Sequence, residues 1–157
     1  MVERLYRFAR LAALAFWMGG FTFYALIVIP TGTRLLGSVE QGLVTQQVTQ
    51  WMNWLGALSL AILLPGALRT RWLALSWLVM ALAQFVLFWL HPRLDAFIDG
   101  SLRTVSDETR FYRWHQAYLV AVTIQWSAAL VHFWGVVNSS LQSPAGALAH
   151  AQTTSAP

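Results

Sequence analysis

The chain has 157 residues, of which 57% are hydrophobic and 10% charged, with a formal net charge of +4. A soluble domain carries about 25% charged residues, and here no formally charged residue occurs in Leu11–Thr33, Gln41–Leu68, Trp72–Pro92 or from Trp114 onward. Each stretch is long enough, as a helix, to cross the ~30 Å hydrocarbon core. A soluble helical bundle is excluded, because it would need a charged outer stripe at helical period.

All ten basic residues are arginines, and they flank the apolar runs. They do not form the aromatic-interleaved patch of a nucleic-acid binder. The absence of cysteine rules out disulfides, thiolate metal sites and a cysteine nucleophile.

At the N-terminus, Met1–Arg10 is basic and precedes a 19-residue apolar run, Leu11–Ile29. That run exceeds the ~7–15 residues of a secretory apolar core and ends without a small-x-small site. The expectation is a retained first helix over about 8–29, stopped at Pro30. Ser38 and Gln41 have capping-box spacing, so an amphipathic stretch from Val39 is expected to lead into helix two, about 51–68, ending near Pro65-Gly66. Helix three follows over about 72–90, halted at His91-Pro92, and a polar loop covers Arg93–Val105. Ser106-Asp107-Glu108 reads as an N-cap with acidic residues in the first turn, starting helix four over about 107–137. The Ser-, Ala-, Thr- and Gln-rich segment 138–157 reads as a disordered tail.

The expected fold is therefore all-α: an integral membrane four-helix bundle of antiparallel up-down topology over 1–137. Trp51, Trp54, Trp72, Trp89, Trp114 and Trp134 fall near expected helix ends, where amphipathic rings anchor at the headgroups. The arginine count is tied between the two sides, Arg4, Arg7, Arg10, Arg69 and Arg71 against Arg34, Arg93, Arg103, Arg110 and Arg113. The first set lies closer to helix ends and includes the first helix, which favours cytoplasmic termini in a plasma or inner membrane.

Polar groups at membrane depth need a partner or a purpose. On helix four, Ala117, Ala121, Gln125, Ala128, His132 and Gly135 share an arc of about 80°. Such a stripe suits close helix packing with interhelical hydrogen bonds, and Gly19 and Gly20 offer the same on helix one. Trp77, Gln84 and His91 share a face of helix three. Gln84 lies about 10 Å from the level of His91, and Gln125 about 10 Å from Tyr118, so the two amides can meet at one depth.

Two readings follow. The plainer one is a self-contained bundle joined by amide and hydroxyl hydrogen bonds. The sharper one is a polar pocket toward the long loop, formed by Thr22, Tyr24, Asn53, Gln84, His91, His115 and Tyr118. His91 and His115 also fall at one membrane face, where they are candidates for a metal site or the axial positions of haem b. No ligand-spacing motif accompanies them, and neither a metal nor a cofactor is expected. No carboxylate lies inside the apolar runs, and no phosphate-loop, dinucleotide or zinc-protease motif is present, so catalysis is not expected either.

Trp17-Met-Gly-Gly-Phe-Thr-Phe-Tyr24, Val28-Ile29-Pro30, Val44-Thr-Gln-Gln-Val-Thr-Gln-Trp-Met-Asn-Trp-Leu-Gly56, His115-Gln-Ala-Tyr118 and Gln125-Trp126 together resemble the small four-span proteins related to transmembrane protein 205. Bacterial members form a domain of unknown function. The likeness covers about residues 8–137 and implies a four-helix membrane domain. The Trp-x-Gly-Gly-x-x-Phe pattern also resembles copper-resistance D-type and haem-pathway four-span proteins. Those carry a histidine seven residues before the tryptophan, where this chain has Arg10.

The combined expectation is a non-enzymatic accessory or small-ligand-handling membrane component. Its partners would be the lipid bilayer and other membrane subunits or further copies of itself, not nucleic acid. The alternative is a haem-b or metal-binding redox protein using His91 and His115.

Overall fold

The computed structural model describes residues 1–99 and 104–141, with the side chains of Glu3, Asp99 and 139–141 outside the described set. The described chain is all-helical apart from one two-residue ladder. α1 covers Val2–Phe23, a π-helical turn covers Tyr24–Val28, and α2 covers Ile29–Leu36. α3 spans Ser38–Ala67 and α4 Arg71–Asp95. β1 (Ile98–Asp99) and β2 (Thr104–Val105) pair antiparallel, Ile98 opposite Val105, before α5 at Glu108–Leu141.

Proline does not end the helices where the sequence suggested. Helix one was expected to stop at Pro30 but continues to Leu36. The π turn explains the difference, because the Ile29 amide bonds to the Tyr24 carbonyl, five residues back. The widened turn ends just before Pro30 and delivers this residue, which lacks an N–H and crowds the preceding turn, into the first turn of α2. The break comes instead at Gly37, whose φ of 93° falls where only a residue without Cβ is comfortable.

At the start of α3 the expected Ser38–Gln41 capping box does not form. Gly37 is the N-cap, which places Ser38 inside the helix, and the Gln41 carboxamide donates to Thr45 Oγ1 at 3.2 Å. The amphipathic stretch and the second apolar run are then one 30-residue helix. α4 likewise runs past His91-Pro92 to Asp95. Asp95 Oδ2 reaches back to His91 Nδ1 at 2.9 Å, clamping the turn that contains Pro92.

Thr70 caps α4 by accepting from the Leu73 amide, and Asp107 caps α5 by accepting from the Arg110 amide at 3.0 Å. The polar loop is shorter than expected and includes the β1–β2 ladder. Its residues 100–103 lie outside the described set, as does most of the expected tail. Helix occupies 138–141, where the tail was expected to begin.

The core divides into two clusters. Leu14, Trp17, Leu60, Leu63, Met80 and Ala129 form one, and Leu87, Leu90, Leu94, Tyr118, Ala121 and Val122 the other. α4 and α5 make the most extensive helix pairing. Large apolar side chains also cover the outside, including Phe8, Phe16, Leu26, Trp72, Phe85 and Trp134. Three helical stretches, Arg4–Leu36, Arg71–Asp95 and Glu108–Asn138, are long and apolar enough to cross a membrane. In α3 the apolar residues concentrate after Asn53, behind a Gln- and Thr-rich N-terminal half.

Candidate functional site

Helical spacing sets the inward face of each helix. On α1, Arg10, Leu14, Trp17 and Tyr24, in the π turn that follows, are buried at steps of four, three and seven. On α3 the buried set is Gln41, Asn53, Gly56, Ser59, Leu60, Leu63, Gly66 and Ala67. Polar side chains on these faces form layers between the helices.

The middle layer joins α4 to α5. Gln125 Nε2 donates to Gln84 Oε1 at 2.9 Å, and both residues are buried. Gly56 of α3 makes this possible, since a Cβ there would lie 2.5 Å from Gln84 Oε1 and 2.9 Å from Trp17 Nε1. Gln84 Nε2 is buried without a hydrogen-bond partner.

Toward the β1–β2 loop, Tyr118 donates to Asn53 Oδ1 at 3.2 Å, and its ring meets the His91 ring edge-on at 6.4 Å between centroids. His91 Nε2 lies 3.3 Å from Thr49 Oγ1 and 3.2 Å from the Gln46 carbonyl, while Nδ1 faces Asp95. Tyr24 donates to Thr45 Oγ1 at 3.1 Å. Thr22 donates to the Met18 carbonyl and accepts from Trp126 Nε1 at 3.1 Å.

Of the seven pocket candidates, Asn53 and Tyr118 are hydrogen-bonded to each other, His91 contacts Tyr118, and Gln84 lies in the next layer. Thr22 and Tyr24 bond elsewhere. His115 is half-buried and stacks on Phe111, one turn before it on α5, with ring centroids 5.6 Å apart. The rings of His91 and His115 therefore have different neighbours, and both nitrogens of His91 are engaged by Asp95, Thr49 and Gln46. Among the described residues, no group of three or more His, Cys, Asp or Glu side chains stands together as a metal site.

A narrow cleft opens beside Asn53 and Tyr118, lined further by Thr49 and Gln125 and by the aromatic rings of Trp17, Phe21 and Trp126. It has room for about one water molecule. Asn53 Nδ2 is buried there without a partner among the described residues.

Of the packing candidates, Ala121, Gln125 and His132 are buried. Gly19 faces open space, and Gly20 faces only the Met52 side chain. The close approaches expected at these two glycines occur instead at Gly32, Gly56 and Gly66, where a Cβ would strike Gln41, Gln84 and Arg10 respectively.

Several important residues were not singled out in the sequence. Thr45, Thr49 and Asp95 are in the loop-side layer, and Ser76 holds His132 Nδ1 at 2.9 Å. Arg10 was counted with the flanking charges but is buried. Its seven-residue spacing from Trp17, which is itself seven from Tyr24, was the available signal for that face. No family model matches the chain, and neither a curated protein nor a solved structure does.

Proposed function

We propose that the chain is a four-span membrane protein of antiparallel up-down topology with cytoplasmic termini, similar to the family of transmembrane protein 205. In this reading it is a non-enzymatic component that handles a small ligand in the loop-side half of the bundle. The fourth span is α3. It is hydrogen-bonded to α1 through Tyr6–Ile62 and Ser59–Ala13, and to α4 through Trp77–Leu60 and Thr49–His91. A helix fixed along two spanning neighbours shares their depth. Its polar residues Gln41, Asn53 and Ser59 are buried away from the lipid.

The observation that carries the ligand reading is the unpartnered Asn53 Nδ2 at an aromatic-lined cleft. A buried amide donor left open is costly, and a ligand acceptor removes that cost. The surrounding Trp17, Phe21 and Trp126 favour a flat, largely apolar molecule bearing a carbonyl-type oxygen. Because the cleft as it stands has room for about one water molecule, admitting such a ligand requires α1 and α5 to move apart around it.

Solvent extraction of the purified full-length chain, followed by mass spectrometry, tests this reading. A carbonyl-bearing small molecule should be recovered near stoichiometry and be lost from Asn53→Leu. Recovery of phospholipid alone from both proteins would overturn it.

A further inference from the structure

A second polar cluster, apart from the cleft, gathers where the N-terminal part of α1 meets the ends of α3 and α5. Arg10 is only 5% exposed and lies against Gly66, where any Cβ would overlap the guanidinium. Tyr6 lies 5.7 Å from it, ring to guanidinium carbon. His132 of α5 is fully buried and stands one turn beyond Ala129, which shares a core cluster with Leu14, one turn beyond Arg10.

The hydrogen bonds at this cluster are incomplete. Arg10 Nε and Nη2, both buried, have no hydrogen-bond partner among the described residues, and neither does His132 Nε2. Nε and Nη2 are the two donors of the side-on guanidinium fork, the geometry that grips two oxygens of one phosphate or carboxylate. Ser76 Oγ donates to the Trp72 and Leu73 carbonyls and lies 2.9 Å from His132 Nδ1, which is then the donor to it.

The carboxylates whose side chains are described are far away. Glu40 stands about 39 Å along α3 from Gly66, Asp95 about 28 Å along α4 from Ser76, and Glu108, with Asp107 just before it, about 36 Å along α5 from His132, at ~1.5 Å rise per residue. A buried guanidinium with no carboxylate near it among the described side chains is expensive in a membrane bundle and marks a functional position. The cluster adjoins the Leu68–Thr70 turn and the arginine-rich start of α1. Basic pockets between spanning helices at such a face take anionic headgroups.

We propose that Arg10 forms a binding site for a phosphate group, held side-on by its Nε and Nη2. Gly66 is the residue that makes room for the Arg10 guanidinium itself. The site is separate from the cleft and does not depend on the ligand reading given for it.

The test uses the delipidated full-length chain in detergent, with thermal unfolding followed against added phosphatidylglycerol, phosphatidylcholine or inorganic phosphate. Phosphatidylglycerol should raise the melting temperature of the wild type more than phosphatidylcholine does, and Arg10→Met should weaken its binding at least tenfold. Inorganic phosphate giving the same Arg10-dependent shift, with no added effect of the lipid, would identify a free-ion site. If Arg10→Met does not fold, Arg10→Lys keeps the charge but loses the fork and should weaken binding severalfold. Glu3→Gln should leave affinity unchanged. The proposal is overturned if neither ligand shifts the wild type, if the Arg10 variants bind as well as it does, or if Glu3→Gln tightens binding.

Discussion

Gln84 of α4 and Gln125 of α5, 41 positions apart in sequence, meet through a 2.9 Å amide–amide hydrogen bond in the middle of the helix pair. Each lies on its helix's buried face, and the bond leaves only Gln84 Nε2 without a partner. Double-mutant cycles with leucine should show coupling of about 0.6 kcal/mol, the average for interhelical hydrogen bonds in membranes. Each single change should cost more than the coupling, because it strands the other amide. Zero coupling in reversible unfolding would mean that the two amides do not meet.

The level of that meeting was legible in the sequence because helical rise converts residue number directly into depth. Gln84 is seven residues before His91 and Gln125 seven after Tyr118, so an antiparallel pair aligns both. The all-helical fold, the inward faces of α4 and α5 and the Asp107 cap were legible for the same reason, since they depend on local spacing. The ends at Pro30 and Pro92 were not. Each depends on a compensation (a π turn in one case, a His91–Asp95 clamp in the other) that leaves no fixed sequence signature. Close contact at Gly56 and Gly66, rather than at Gly19 and Gly20, depends on which faces meet, and glycine alone does not encode that.

The glycines provide a direct contrast. Gly56→Ala should lower thermal stability in detergent, because the new methyl would fall on Gln84 and Trp17. Gly19→Ala should be neutral or slightly stabilising, since its Cβ meets nothing within 4 Å and alanine gains up to about 1 kcal/mol of helix propensity over glycine. Equal effects at both sites would show that the α1–α3 contact has been assigned to the wrong face.

Asp95 is expected to hold the last turn of α4 together through His91 rather than through the backbone. Asp95→Ala should leave the α4–α5 interface intact while speeding amide hydrogen exchange across 93–96, the stretch just beyond Pro92. Asp95→Asn, which retains an acceptor for His91 Nδ1, should restore part of the protection. Unchanged exchange in Asp95→Ala would mean that packing alone carries the helix past the proline.

The remaining question is whether α3 crosses the membrane. It is the one long helix outside the three stretches that suffice by length and composition, and its burial between α1 and α4 is the argument for a fourth crossing. The chain contains no cysteine, so single cysteines placed at Ser38 and Thr70 give an unambiguous readout. They mark the two ends of α3, about 48 Å apart at ~1.5 Å per residue, which is more than the ~30 Å core. Membrane-impermeant thiol reagents applied to oriented vesicles should label one position from outside and the other only after permeabilisation. Thr70 is expected on the cytoplasmic side, with the arginines of the α3–α4 turn. A cysteine at Asp99, after α4, should follow the pattern of Ser38. If the cysteines at Ser38 and Thr70 react from the same side, α3 does not span, and the up-down bundle is replaced by three crossings with α3 folded back against them.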